Sequence, residues 1–89
     1  MGTLIVHHKV KDYAKWRPVF DGDLSKQKAA GLTHPRVLRS ADDKNDLFVM
    51  FDYMNKQKAR EFADSADLKE TMMKAGVADQ PTMYFLEST

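Results

Sequence analysis

Residues 47–54 read LFVMFDYM, and both alternating sets of side chains are largely apolar: Leu47, Val49, Phe51 and Tyr53 against Phe48, Met50, Asp52 and Met54. Successive side chains of a strand point to opposite faces, so a sheet with one wet face alternates apolar with polar. This stretch does not alternate, which predicts a strand covered on both sides. Residues 82–87, TMYFLE, repeat the pattern, with Tyr84 and Leu86 opposing Met83 and Phe85. Two short helices cover one face of a small sheet, and a bare second face would exceed the apolar patch monomers usually expose. The expected cover is a second sheet, most simply that of a twofold-related copy, so the chain is expected to be a homodimer.

Working outward, HPRVLRS (34–40) reads as a strand, and the polar turn ADDKND (41–46) joins it to the 47–54 strand as an antiparallel hairpin. The stretch IVHHKV (5–10) belongs to a strand over residues 4–10, with Leu4, Val6, His8 and Val10 on one face and Ile5, His7 and Lys9 on the other. Asp12 can cap a helix running to about Ala30, with a buried stripe of Tyr13, Trp16, Phe20 and Leu24 and with Gly31 just past its end. Pro18 removes a helical hydrogen bond and predicts a kink or an irregular first turn. Asn55 caps a further helix that buries Ala59, Phe62 and Ala63, Asp67 with Glu70 can cap the next turns, Gly76 ends them, and the last strand covers 82–87.

The order β-α-β-β-α-β predicts an α+β, ferredoxin-like antiparallel sheet with two helices on one face, pairing into a dimeric α/β barrel; residues 1–89 read as a single domain. The halves echo each other, KAAGLTHPRVL (28–38) against MKAGVADQPTMYFL (73–86), each passing from a glycine-ended helix through a proline into a strand.

Fourteen basic and thirteen acidic residues intermingle along the chain, so no nucleic-acid footprint is expected. No cysteine is present, which removes disulfides and thiolate chemistry. The opening MGTLIVHHKV has no basic segment ahead of a long apolar run, so no membrane attachment is expected and the cytoplasm is the default compartment. The four glycines, at 2, 22, 31 and 76, form no phosphate loop, and the serines at 25, 40, 65 and 88 lack a nucleophile-elbow context.

With those elements in place the chain resembles the dimeric α/β-barrel superfamily, and within it the antibiotic biosynthesis monooxygenase-like and stress-responsive barrel proteins. The resemblance rests on the element order, on IVHHKVKDYAKWRPVFD (5–21) and on PTMYFLE (81–87). It implies one of several activities, among them cofactor-independent oxygenation, haem degradation, cyclisation and isomerisation, and fold alone does not choose between them. Haem-degrading relatives place a ligating histidine on the second helix, whereas residues 55–76 contain none.

His7, His8 and Asp52 are the candidate catalytic groups. A histidine in an apolar cleft can exchange a proton with an acidic phenol or ketone near neutral pH. Parity separates the two imidazoles without saying which meets a cleft, and adjacent strand residues diverge too far to chelate one metal, so no metal site is expected. The ordinary reading of either is a structural histidine bonded to backbone or solvent. Asp52 could act as a base, or pair with Arg36 or Arg39 across the hairpin. Trp16, Phe48, Met50, Tyr53, Met83 and Tyr84 are candidates to line a pocket for a small hydrophobic or aromatic molecule, the alternative being an inter-layer core that forms part of a non-catalytic binding or stress-associated module. No cofactor is expected. Haem titrated into the protein should give no histidine-ligated absorption spectrum; a sharp one would restore the haem-degrading reading.

Overall fold

The computed structural model describes residues 2–89. The chain runs β1 (Gly2–Lys9), α1 (Tyr13–Gly22), α2 (Leu24–Ala29), β2 (Leu32–Arg39), β3 (Asp46–Tyr53), α3 (Lys56–Ala63), α4 (Ala66–Lys74) and β4 (Thr82–Glu87). The strands form one sheet in the order β2-β3-β1-β4, every neighbouring pair antiparallel, which is the ferredoxin-like arrangement expected from the element order.

Helix starts follow their capping chemistry. The Asp12 side chain accepts from the Ala14 N–H at 2.9 Å, and the Asn45 side chain, from the β2–β3 turn, accepts from the Tyr13 N–H at 3.2 Å. Two of the unpaired first-turn donors are thereby satisfied, and the turn is tied to the start of α1. Asn55 caps α3 through the Lys58 N–H at 3.1 Å. The cap of α4 is Ser65, which accepts from the Leu68 N–H at 3.1 Å, in place of the expected Asp67 and Glu70; Asp67 sits inside the first turn and Glu70 pairs with Lys74 at 3.6 Å. Gly31 and Gly76, the equivalent glycines of the two halves, both adopt positive φ (83° and 78°) at helix ends, where a side chain would be strained.

Pro18 remains inside α1 without breaking it. It and Ala14, whose carbonyl loses its helical donor, are both exposed, so water can replace that hydrogen bond. The single helix expected from 13 to about 30 instead divides at Asp23, whose N–H turns to the Phe20 carbonyl at 3.0 Å in a three-residue bond, and this tighter turn carries Asp23 inward.

Helices cover one face of the sheet. Leu4, Val6, Leu47, Val49, Phe51 and Tyr53 pack there beneath Trp16, Phe20, Ala59 and Ala75. Leu4 and Leu47 are almost completely buried, each contributing about 1.5–3 kcal/mol. Tyr53 donates its hydroxyl to the Leu86 carbonyl at 3.1 Å, and Gly2 leaves room for its ring, which a methyl group would overlap.

The opposite face carries Ile5 paired with Met50 and Tyr84, and His7 paired with Phe48. Among the described residues no helix covers it, and Leu38, Tyr84 and Leu86 are 53%, 47% and 47% exposed. Both faces of β3 are therefore apolar, as its sequence requires. On β2 one extra residue between Thr33 and Arg36 bulges the strand, with His34 at φ 52°. No helix among the described residues is long and apolar enough to cross a membrane.

Val49 is 2% exposed at the centre of the covered face. Val49→Asp is expected to cost about 3–5 kcal/mol of folding stability, read as a lowered urea midpoint; unchanged unfolding would contradict the buried sheet.

Candidate functional site

Between the sheet and the helices lies a cleft floored by Leu4, Val6, His8, Val49 and Phe51 and roofed by Trp16, Phe20, Phe62 and Met72. Its empty space is about 560 Å³ including the solvent at its mouth. The enclosed cavity is about 60 Å³, enough for several waters or for the edge of one ring before side chains move. Phe62 and Met72 pack only partly buried against the core, so the roof can shift at low cost.

Of the paired histidines, His8 enters this cleft. It is 4% exposed, lies 5.9 Å from the Trp16 ring, and neither ring nitrogen has a hydrogen-bond partner within the protein. Desolvation holds its pKa below the ordinary histidine value, against smaller opposing effects of Asp79 and Asp46 and with a minor contribution from His7. At neutral pH this imidazole is uncharged, with one nitrogen free to accept a proton and the other an N–H free to donate. His7 points to the opposite face, where its Nε2 lies 2.7 Å from Asp46 and its ring stacks on Phe48 at 4.1 Å, 4° from parallel.

The other candidates divide by the same parity. Asp52 accepts from Arg36 at 2.8 Å on the uncovered face, one of the two pairings its position offers. Trp16 and Met83 line the cleft. Phe48, Met50 and Tyr84 do not: their strand positions share the parity of Ile5 and His7, so they lie on the far side of the sheet. Tyr53 faces the helices but is committed to the core, edge-on to Phe85 with 6.1 Å between ring centres.

Two polar residues that the sequence reading missed complete the cleft. Asp23 and Gln27 are 6% and 5% exposed, and the Gln27 Oε1 has no partner. Desolvation raises the Asp23 pKa, with Lys26 opposing and Asp67 adding to the shift. A signal for them exists: positions 16, 20, 23 and 27 continue the four- and three-residue spacing of the Trp16–Phe20 stripe, so polar residues at 23 and 27 fall on the buried side. Reading the stripe through Leu24 hid them. No group of three or more potential metal-ligating side chains occurs among the described residues.

The folded chain resists protonation at His8, so below the unfolded-state value near 6.5 the unfolded chain binds more protons and stability falls as the pH drops. Above that value the contribution is constant. Urea unfolding of wild type and His8→Phe at pH 7 and pH 5 should show wild type losing more stability, by at most about 1.4 kcal/mol per pH unit from this group; equal losses would mean that His8 is not buried neutral.

No family model matches the sequence, and no curated protein matches it. Solved structures do. An antibiotic biosynthesis monooxygenase-like protein from Bordetella bronchiseptica superposes with a TM-score of 0.80 at 16% identity, the match covering 100% of this chain and 99% of that one. SnoaB, a cofactor-independent oxygenase from Streptomyces nogalater, matches with a TM-score of 0.73 at 14% identity over 99% and 94% of the chains. A Streptomyces coelicolor monooxygenase in complex with nanaomycin D matches with a TM-score of 0.70 at 19% identity over 99% and 87%. At these identities the likeness is one of fold, and the chain has the ferredoxin-like fold of the antibiotic biosynthesis monooxygenase-like proteins.

Proposed function

We propose that this protein binds a small, flat, hydrophobic molecule bearing an acidic phenol or ketone in the sheet–helix cleft, and oxygenates it without a cofactor. The observation that carries this reading is His8: a neutral imidazole walled by aromatic and aliphatic side chains, with both nitrogens unpaired. A buried polar group without a partner costs stability, and a ligand hydroxyl would remove that cost. As the base, His8 takes the ligand's proton; the resulting electron-rich anion adds O₂ at carbon, giving a hydroperoxide that loses water, so the ligand itself supplies two hydrogens and all four electrons, gains one oxygen atom and leaves as a quinone-type ketone. His7 and Asp52 take no part, because their pairs with Asp46 and Arg36 lie across the sheet. Two of the solved structures of like fold are described as a cofactor-independent oxygenase and as a monooxygenase holding nanaomycin D, which supports the reaction class.

The working form in this proposal is a cytoplasmic homodimer in which a second copy covers the face of Ile5, Leu38, Phe48, Met50, Tyr84 and Leu86. Exposed tyrosine and leucine side chains centred on partly buried phenylalanine and methionine form the apolar core that subunit interfaces require. Native mass spectrometry should find a dimer, and Met50→Asp should give a folded monomer by circular dichroism and mass; a monomeric wild type would remove the dimer from the proposal.

Trp16, the sole tryptophan, stands beside His8 and reports on the cleft. Titration with 1-naphthol should quench its fluorescence, and an oxygen electrode should record O₂ uptake with a hydroxylated naphthalene that falls at least tenfold in His8→Phe. Quenching without O₂ uptake would leave a binding module, and no quenching would reject the cleft as the site.

A further inference from the structure

Asp23 and Gln27 share the cleft with His8 but stand at its other end. Along the roof, Trp16 of α1 stands 5.9 Å from His8, whereas Gln27 belongs to α2, beyond the break at Asp23. Along the floor, His8 pairs with Leu47, whereas Leu32, the neighbour of Gln27 in the cleft wall, pairs with Tyr53 near the start of β1. The step from the His8 rung to the Leu4 rung alone is about 13 Å. The surrounding charges agree: Asp79, His7 and Asp46 act on His8, and Lys26 and Asp67 act on Asp23, with none in common. The cleft is an apolar slot with a polar group at each end.

Each end is incomplete. His8 lacks partners for both nitrogens, and Gln27 Oε1, inside a residue 95% buried, lacks a donor. Its neighbour Asp23 accepts the Gln27 N–H at its backbone carbonyl at 3.1 Å, while its side chain makes no cap hydrogen bond. Resting on the reading of the cleft as the ligand site, we infer that Gln27, with Asp23 beside it, is a specificity-determining residue for the far end of the ligand, so that the protein selects elongated, flat molecules with a hydroxyl at each end over those polar at one end only. A hydroxyl suits Gln27 because it donates to Oε1 and can also accept from the amide nitrogen. A ligand with hydrogen in place of that hydroxyl would bury Oε1 deeper with nothing to pair it, and such mismatches are what polar pockets reject most strongly.

The test compares 4,4′-dihydroxystilbene with 4-hydroxystilbene by calorimetry on the full chain. Wild type should bind the diol about tenfold more tightly. Gln27→Leu should lose about tenfold for the diol and stay within about twofold for the mono-ol, with Gln27→Met as the second variant should the first fold poorly. Equal affinities in wild type, or a diol preference that survives both substitutions, overturn the inference. Binding of 1-naphthol with neither stilbene bound also overturns it while sparing the cleft; failure of all three ligands overturns the cleft reading on which it rests.

Discussion

The pairing of β1 with β3 is the constraint on which the rest depends. The two strands run antiparallel through the middle of the sheet, with Leu4 opposite Phe51, Val6 opposite Val49 and His8 opposite Leu47. Every residue of these three rungs is almost fully buried. A slip of one residue would turn a whole strand over, sending Ile5 and His7 under the helices and Leu4 and Val6 out. The aliphatic rungs therefore hold the register, and the register decides which of two adjacent histidines faces the cleft. His8 is there because Leu4 and Val6 are.

That placement conflicts with stability. Two identical side chains, neighbours in sequence, experience opposite conditions: His7 is partly exposed, bonded to Asp46 and stacked on Phe48, while His8 is desolvated and unpaired. Gln27 adds a second unpaired buried acceptor and Asp23 a buried carboxyl in the same space. Natural cores keep few such groups, and those they keep tend to mark sites where a ligand completes the hydrogen bonding. The rest of the cleft wall is hydrophobic, so these few polar atoms set what orientation a bound molecule can take.

The two faces of the sheet divide the labour. The covered face carries the core and the cleft, and the uncovered face carries an apolar patch edged by ion pairs, Arg36 with Asp52 and His7 with Asp46. Exposed pairs of this kind add little stability, but they fix the orientation of side chains around the patch. The two faces share the backbone of β1 and β3, so neighbours such as His7 and His8 meet different surroundings.

The sequence by itself determined the elements and their faces, because strand parity, helical spacing and capping residues act over a few residues: Asp12 and Asn55 cap where expected, Gly31 and Gly76 end helices, and the residues of 82–87 form the last strand. It also showed that both faces of β3 are apolar. Only the tertiary structure decided which face the helices cover, and with it that Trp16, Met83 and His8 share a cleft while Phe48, Met50 and Tyr84 lie beyond the sheet. Parity distinguishes two faces without ranking them, since the ranking comes from helices distant in sequence. The break at Asp23 is likewise tertiary: a tightened turn at the end of α1 takes an acid and an amide that local propensity would leave in water and buries them.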